Sequence, residues 1–231
     1  MQRDWNPEEL EMMDRPQPVS VELERDLENL RGLNEHFGSY NLLRKFLRKW
    51  FQTGSRFRIL DLCTGAGDIP RMLVRYARAH GISVHIDAID FHPATLEIAR
   101  RNSAGFPEIC FAQGDVLTFT PELAGYDLVL CTLALHHFSE ADAAQILRRC
   151  REFSSRYVLV SDLERSWLTS ALVWLVTATI YRDPMTQFDG RLSARRAFSY
   201  EEFRKIAEMA GWKSFAHRRF LPCRQAVWIE P

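Results

Sequence analysis

The sequence lacks any excess of charge: thirty Lys and Arg offset thirty Asp and Glu. A protein that mainly grips a polyphosphate backbone carries a basic surplus, so nucleic acid is not the expected partner. The five cysteines (63, 110, 131, 150 and 223) form no Cys-x-x-Cys pair and no even set. Reduced thiols in a cytoplasmic protein are expected, not a disulfide framework. Long apolar runs are missing too. The stretch Ser166 to Tyr181 is uncharged over only 16 residues, short of the about 20 that a spanning helix needs. The opening Met-Gln-Arg-Asp-Trp-Asn has no basic-then-apolar leader. No carboxylate–histidine cluster stands at metal-ligand spacing, so no metal is expected. Lysine occurs only at 45, 49, 205 and 213, a bias of composition without functional consequence.

What remains is ordinary globular material. Hydrophobic residues make up 46% of 231, enough for one generous domain or a core with an added arm. Residues 1–20 hold three of the ten prolines and no apolar period, so they read as a flexible arm. Leu23, Leu27, Leu30, Leu33 and Phe37 recur at helical steps, and Leu42, Leu43, Phe46, Leu47, Trp50 and Phe51 continue them. Residues 21–54 are therefore expected as a helical lid. From 55 to 231, strands near 57–62, 84–89, 109–112, 126–131 and 157–161 alternate with helices, and two closing strands flank Leu221-Pro222-Cys223-Arg224. That alternation predicts an α/β fold, a doubly wound seven-stranded sheet. Its last strand should be antiparallel, because a tight connection cannot join parallel neighbours.

Ligands of such sheets bind beyond the carboxyl ends of the strands. The first end reads Asp61-Leu62-Cys63-Thr64-Gly65-Ala66-Gly67-Asp68. Gly65 and Gly67 let the backbone pass close to a ligand. Asp90, 23 residues after Gly67, ends the second strand, where a carboxylate can accept both hydroxyls of a ribose. A P-loop requires Gly-Lys-Ser/Thr, and the chain has Gly-Asp-Ile. A dinucleotide loop is poorly served as well, since Asp68 would face a pyrophosphate and Pro70 stands at the third glycine position. A nucleoside without phosphates, bearing a positive amino-acid group, suits the acids better.

These residues resemble the class I S-adenosylmethionine-dependent methyltransferases, over about Phe57 to Asp162. Asp61 through Gly67 is similar to the family's first glycine-rich motif, with Cys63 where a glycine is common. The quinone-biosynthesis branch often relaxes that position. Asp90 with Phe91 matches the ribose segment, and Gly114-Asp115-Val116 the adenine segment. Tyr126 through Cys131, then Leu135-His136-His137-Phe138, matches the fourth-strand motif and its loop. The resemblance implies a Rossmann-like fold, S-adenosyl-L-methionine as cofactor and a small-molecule acceptor. It also implies cofactor contacts from Asp61, Cys63, Gly65, Gly67, Asp90, Phe91, Asp115, Val116 and Cys131. The DNA amino-methylating segment is replaced by Cys131-Thr132-Leu133-Ala134, and Pro222-Cys223 lies at the wrong end for a cytosine-C5 nucleophile.

Methylating a phenol at neutral pH takes a base, and His136 and His137 follow the fourth strand where an acceptor would lie. His136 is the preferred base, and either histidine alternatively only packs the loop. Residues 165–198 exceed a plain connection. Trp167, Leu168, Ala171, Leu172, Trp174, Leu175 and Ala178 make an apolar helix bounded by Arg165 and Arg182. It serves as core, as a homodimer face or as a pocket wall, with Trp174 toward the acceptor. Asp189, Arg191 and Arg196 follow in a charged segment, read as a solvated loop or as groups that orient the acceptor. The expected activity is methyl transfer to a hydroxylated aromatic or lipophilic molecule, with O-methylation ahead of ring C-methylation. A binding module that has lost turnover, with Cys63 crowding the site, and an NAD-dependent oxidoreductase are the alternatives.

Overall fold

The computed structural model describes residues 2–122 and 125–231. Its sheet has seven strands: β1 (Arg56–Leu62), β2 (Ser83–Asp90), β3 (Ile109–Gln113), β4 (Tyr126–Thr132), β5 (Ser154–Leu163), β6 (Ala216–Phe220) and β7 (Arg224–Ile229). They lie in the order β3-β2-β1-β4-β5-β7-β6. The first five pair in parallel, while β7 runs antiparallel to both β5 and β6. The central strands are near-continuous apolar runs, as a sheet covered on both faces requires. Chain order reverses between β1 and β4, which opens a crevice at their carboxyl ends.

One face is covered by α2 (Ser39–Trp50) and α3 (Asp68–Ala79), the other by α5 (Glu140–Phe153) and α8 (Tyr200–Met209), while α4 (Pro93–Asn102) packs along β2 and β3. Ser139 caps α5, and Ser199 with Glu202 forms the expected capping box on α8. The helical segment at 21–54 divides. Its first half, α1 (Val21–His36), reaches the crevice through Leu27, Leu30 and Leu33. Its second half, α2, belongs to the core: Phe46 packs against Trp50 with ring centroids 4.8 Å apart and planes tilted by 43°, and meets Trp228 edge-on at 5.0 Å. Burying each of these rings contributes about 1.5–3 kcal/mol, so α2 is a fixed cover of the sheet.

Two further features depart from the sequence reading. The charged segment after the apolar helix α6 (Trp167–Thr179) is a helix, α7 (Pro184–Arg196), and not a loop. Asp183 caps it by accepting from Met185 and Thr186, with Pro184 at its first position. Gly190, which reads as a loop residue, sits where a Cβ would lie 3.4 Å from Thr177 and 3.6 Å from Val173, so it lets α6 and α7 approach closely. The described part of the arm, residues 2–20, is packed against α7 and includes a 3-10 turn at Met12–Asp14. Its Glu11 is only 2% exposed.

Candidate active site

The loop after β1 turns through three left-handed residues, Cys63 (φ 58°), Gly65 (φ 55°) and Gly67 (φ 70°). A non-glycine residue in that region costs about 1–3 kcal/mol, which is the physical reason why a glycine suits position 63. Gly65 and Gly67 have different duties. A Cβ on Gly65 would meet nothing within 4 Å, and its N–H donates to Asp90 Oδ2 at 2.7 Å. A Cβ on Gly67 would lie 2.7 Å from the ring of Phe111. Gly67 therefore serves helix packing and does not face the cavity.

A cavity of about 830 Å³ opens at the sheet's crest, walled by Cys63, Gly65, Asp90, Phe91, Asp115 and Val116 among others. Asp90 is held on both oxygens, by the Gly65 N–H and by the His92 N–H at 3.0 Å. Burial raises its pKa above the usual carboxylate range. Asp115 accepts from the Leu117 N–H at 2.9 Å. Asp61 is buried behind the loop and accepts the Thr64 hydroxyl at 2.6 Å, while its Oδ1 has no partner. Burial pushes its pKa up to about 7. Asp61 thus braces the turn from outside the cavity. Cys131, expected at the cofactor, is fully buried in the core, because its position on β4 points into the cluster beneath α5.

The two histidines sit on a short 3-10 turn, Leu135–His137, after β4. His136 is 3% exposed. Its Nδ1 donates to Asp162 Oδ1 at 2.7 Å, and its backbone N–H donates to Asp162 Oδ2 at 3.0 Å. A carboxylate can only accept, so the proton is on Nδ1 and the lone pair of Nε2 is free. Burial lowers the His136 pKa despite Asp162. Burial would raise Asp162, but His136 outweighs it and the acid stays below its usual range. His137 differs. Burial alone would lower it, yet Asp14, whose Oδ2 lies 2.8 Å from its Nδ1, and Glu11 hold it at about 10. It is an imidazolium at neutral pH.

Sequence reasoning missed the partner of His136 and the whole contribution of the arm. Asp189 accepts the N–H groups of Met12 (2.6 Å) and Met13 (3.0 Å). Arg196 donates to the carbonyls of Asn6, at 2.6 Å, and Glu9. Arg3 donates to the carbonyls of His136 (3.1 Å) and Phe138 (2.8 Å). These buried groups find their partners in the arm, and that is why it is ordered. Glu11 Oε1 lies 3.7 Å from His136 Nε2. One ligand-type atom from each of Glu11, His136 and His137 falls within 4.8 Å of the others, so the three could hold a cation. Their separation in the chain hides this cluster from a spacing search.

The expected acceptor contacts are corrected. Trp174 is 56% exposed on the outer side of α6, with the Arg191 guanidinium 5.8 Å from its ring centroid. Helical periodicity sends Leu172, Val173, Val176 and Thr177 into the cavity instead. Arg196 is 3% exposed and clamps the arm.

The residues fit S-adenosylmethionine. A carboxylate, Asp90, stands where a ribose would lie, pinned by the Gly65 and His92 N–H groups, and Gly65 leaves open space beside the loop. Residues 59–155 match the family described as "Methyltransferase domain". Over 88 residues the chain is 34% identical to the 2-phytyl-1,4-naphtoquinone methyltransferase of Thermosynechococcus vestitus, covering 37% of this chain and 38% of that protein. The fold is shared with human N-acetylserotonin methyltransferase, solved with its cofactor SAM (TM-score 0.63, 17% identity, 91% of this chain and 56% of that one). It is also shared with a SAM-dependent methyltransferase from Aquifex aeolicus (TM-score 0.60, 17% identity, 89% and 96%). Residues 59–155 thus match a methyltransferase domain, on a fold shared with S-adenosylmethionine-dependent methyltransferases. The match spans little more than a third of the curated relative.

Proposed function

We propose that the protein transfers a methyl group to the hydroxyl oxygen of a small, lipophilic aromatic acceptor. The observation that carries this reading is the Asp162–His136 pair, whose free Nε2 stands in a largely apolar cavity across from Asp90 and the glycine loop. S-adenosylmethionine supplies a methyl group on a positive sulfur that leaves as a neutral thioether. Asp90 holds the ribose, Asp115 the adenine amine, and Leu172 and Val176 the apolar body of the acceptor. His136 Nε2 takes the hydroxyl proton, and Asp162 stabilises the imidazolium that results. His137, already protonated, does not serve as base. Alignment supplies much of the remaining rate.

Ring C-methylation is the second reading, favoured by the identity shared with the naphthoquinone methyltransferase, and the same base would serve it. The free thiols support a cytoplasmic setting; among the described residues no helix is long and apolar enough to cross a membrane. The test is calorimetry with S-adenosylmethionine and S-adenosylhomocysteine, then methyl release over a panel of phenols. Asp90→Ala should weaken binding about tenfold or more, the worth of one charged hydrogen bond. Binding by the parent without turnover on any acceptor would favour the silent module motivated by Cys63. Stabilisation by NAD instead would favour the oxidoreductase.

A further inference from the structure

The arm places a carboxylate inside the cavity that methyl transfer itself does not call for. Glu11 is 2% exposed, lines the cavity and has Oε1 satisfied by the Ser193 hydroxyl at 2.7 Å. None of the described residues donates to its Oε2. Glu11 lines the cavity, so a donor from a ligand can reach that oxygen. The neighbouring His136 Nε2, 3.7 Å from Oε1, is also an acceptor. Burial pushes the Glu11 pKa up to about 8, and a hydroxyl donated to Oε2 would favour its carboxylate form. With the His136 Nε2 acceptor alongside, the pair has room for two donors, and one hydroxyl has a single hydrogen to give.

We propose that Glu11 is a specificity-determining residue which accepts a hydrogen bond from a second hydroxyl of the acceptor, beside the one that is methylated, so that the substrate class is an aromatic diol. The inference deepens the methyl-transfer reading and rests on it for the chemistry. One hydroxyl gives its proton to His136 Nε2 and its oxygen bonds to the methyl carbon. The carbon–sulfur bond breaks and the electron pair stays on sulfur. The other hydroxyl keeps its proton, shared with Glu11. The diol is a 1,2- or a 1,3-arrangement, and the probes separate them.

The test is calorimetry of protein saturated with S-adenosylhomocysteine against 4-pentylcatechol, 5-pentylresorcinol, 4-pentylphenol and 4-pentylguaiacol. At least one diol should bind at least ~10-fold more tightly than the phenol, and the guaiacol should fall to the phenol's level. In Glu11→Gln the ratio of diol to phenol affinity should collapse to within about twofold of one. A ratio near one in the parent protein overturns the proposal. So does a Glu11→Gln variant that weakens both probes alike, since Glu11 would then only hold the arm. Loss of the diol preference on dialysis against EDTA also overturns it, because a metal on Glu11, His136 and His137 would be holding the diol. The parent and guaiacol arms need no variant, so a Glu11→Gln chain that fails to fold leaves the test intact. Diol preference without methyl release would support the Glu11 site and sink the proposed reaction, so the two readings fail separately.

Discussion

Asp162 grips His136 twice, at the ring Nδ1 and at the backbone N–H, so one carboxylate at the end of β5 fixes both the tautomer and the position of the imidazole. Both oxygens are used on one residue, which leaves the ring little freedom to turn away. Asp162→Asn removes the negative charge and can present an N–H where only an acceptor fits. We expect kcat to fall ~10²-fold or more, with S-adenosylhomocysteine affinity within about twofold of the parent. The His136 pKa is lowered by burial, so the neutral base is present at pH 7. In the parent, rate should therefore rise with pH only through a limb below the usual ~6.5 of histidine and stay flat above it. In Asp162→Asn that limb should move lower still. An acid limb above ~7 in the parent would contradict the assignment.

The arm depends on Arg196, which reaches the carbonyls of Asn6 and Glu9 from a site 3% exposed to solvent. Arg196→Ala should release it. Limited digestion with a glutamate-specific protease should then cut after Glu9 or Glu11 at least ~10-fold faster than in the parent, while the sheet domain resists. Equal cleavage rates would mean that the other contacts hold the arm unaided.

Gly67 tests packing apart from ligand binding. Gly67→Ala puts a Cβ 2.7 Å from the Phe111 ring at a residue with φ 70°. A loss of ~1–3 kcal/mol is expected, or roughly 2–4 °C in Tm per kcal/mol for a chain of this size. Folded variant should still bind S-adenosylhomocysteine, since the residue does not face the cavity. A Tm equal to the parent's would refute the packing role.

Asp26 gives the protein a pH-dependent stability. Its side chain is fully buried between α1 and α7, with the Thr186 hydroxyl on Oδ1 at 2.6 Å and Oδ2 unpartnered. Burial pushes its pKa up to about 7, against ~3.9 unfolded. Between those values the folded chain holds a proton that the unfolded chain lacks. The contribution is thus complete below ~4, falls by up to ~1.4 kcal/mol per pH unit and is gone above ~7. Asp26→Asn mimics the protonated acid at every pH. Its Tm should exceed the parent's at pH 8 by more than at pH 5, and a difference independent of pH would rule this out.

The sheet and the cofactor loop were legible because their signals are local. A strand, a glycine turn and an acid at the next strand's end lie within ~30 residues, and the apolar runs at β1, β4 and β5 could be buried only one way. The position of His136 just after β4 was legible for the same reason. Asp162 was not recognised as its partner, because β4 and β5 must pair before the two meet. The arm was illegible: Met12 and Asp189 are 177 residues apart, and nothing near Glu11 announces burial. At α7 the signal was present in Asp183-Pro184 but masked by Gly190 and a cluster of charges. That glycine answers to the neighbouring helix and not to its own backbone.

The placement of β7 between β5 and β6 has a consequence for biosynthesis. Strand β6 reaches the rest of the sheet only through β7, which follows it in the chain. A chain that has emerged only as far as residue 223 can display a five-strand sheet, but β6 must wait, unmoored, for the six residues of β7. The turn between them carries Pro222 and Cys223 to the cavity rim. The binding chamber therefore acquires this wall only once β7 has been made, and a nascent chain halted before that point would have a glycine loop without a finished room around it.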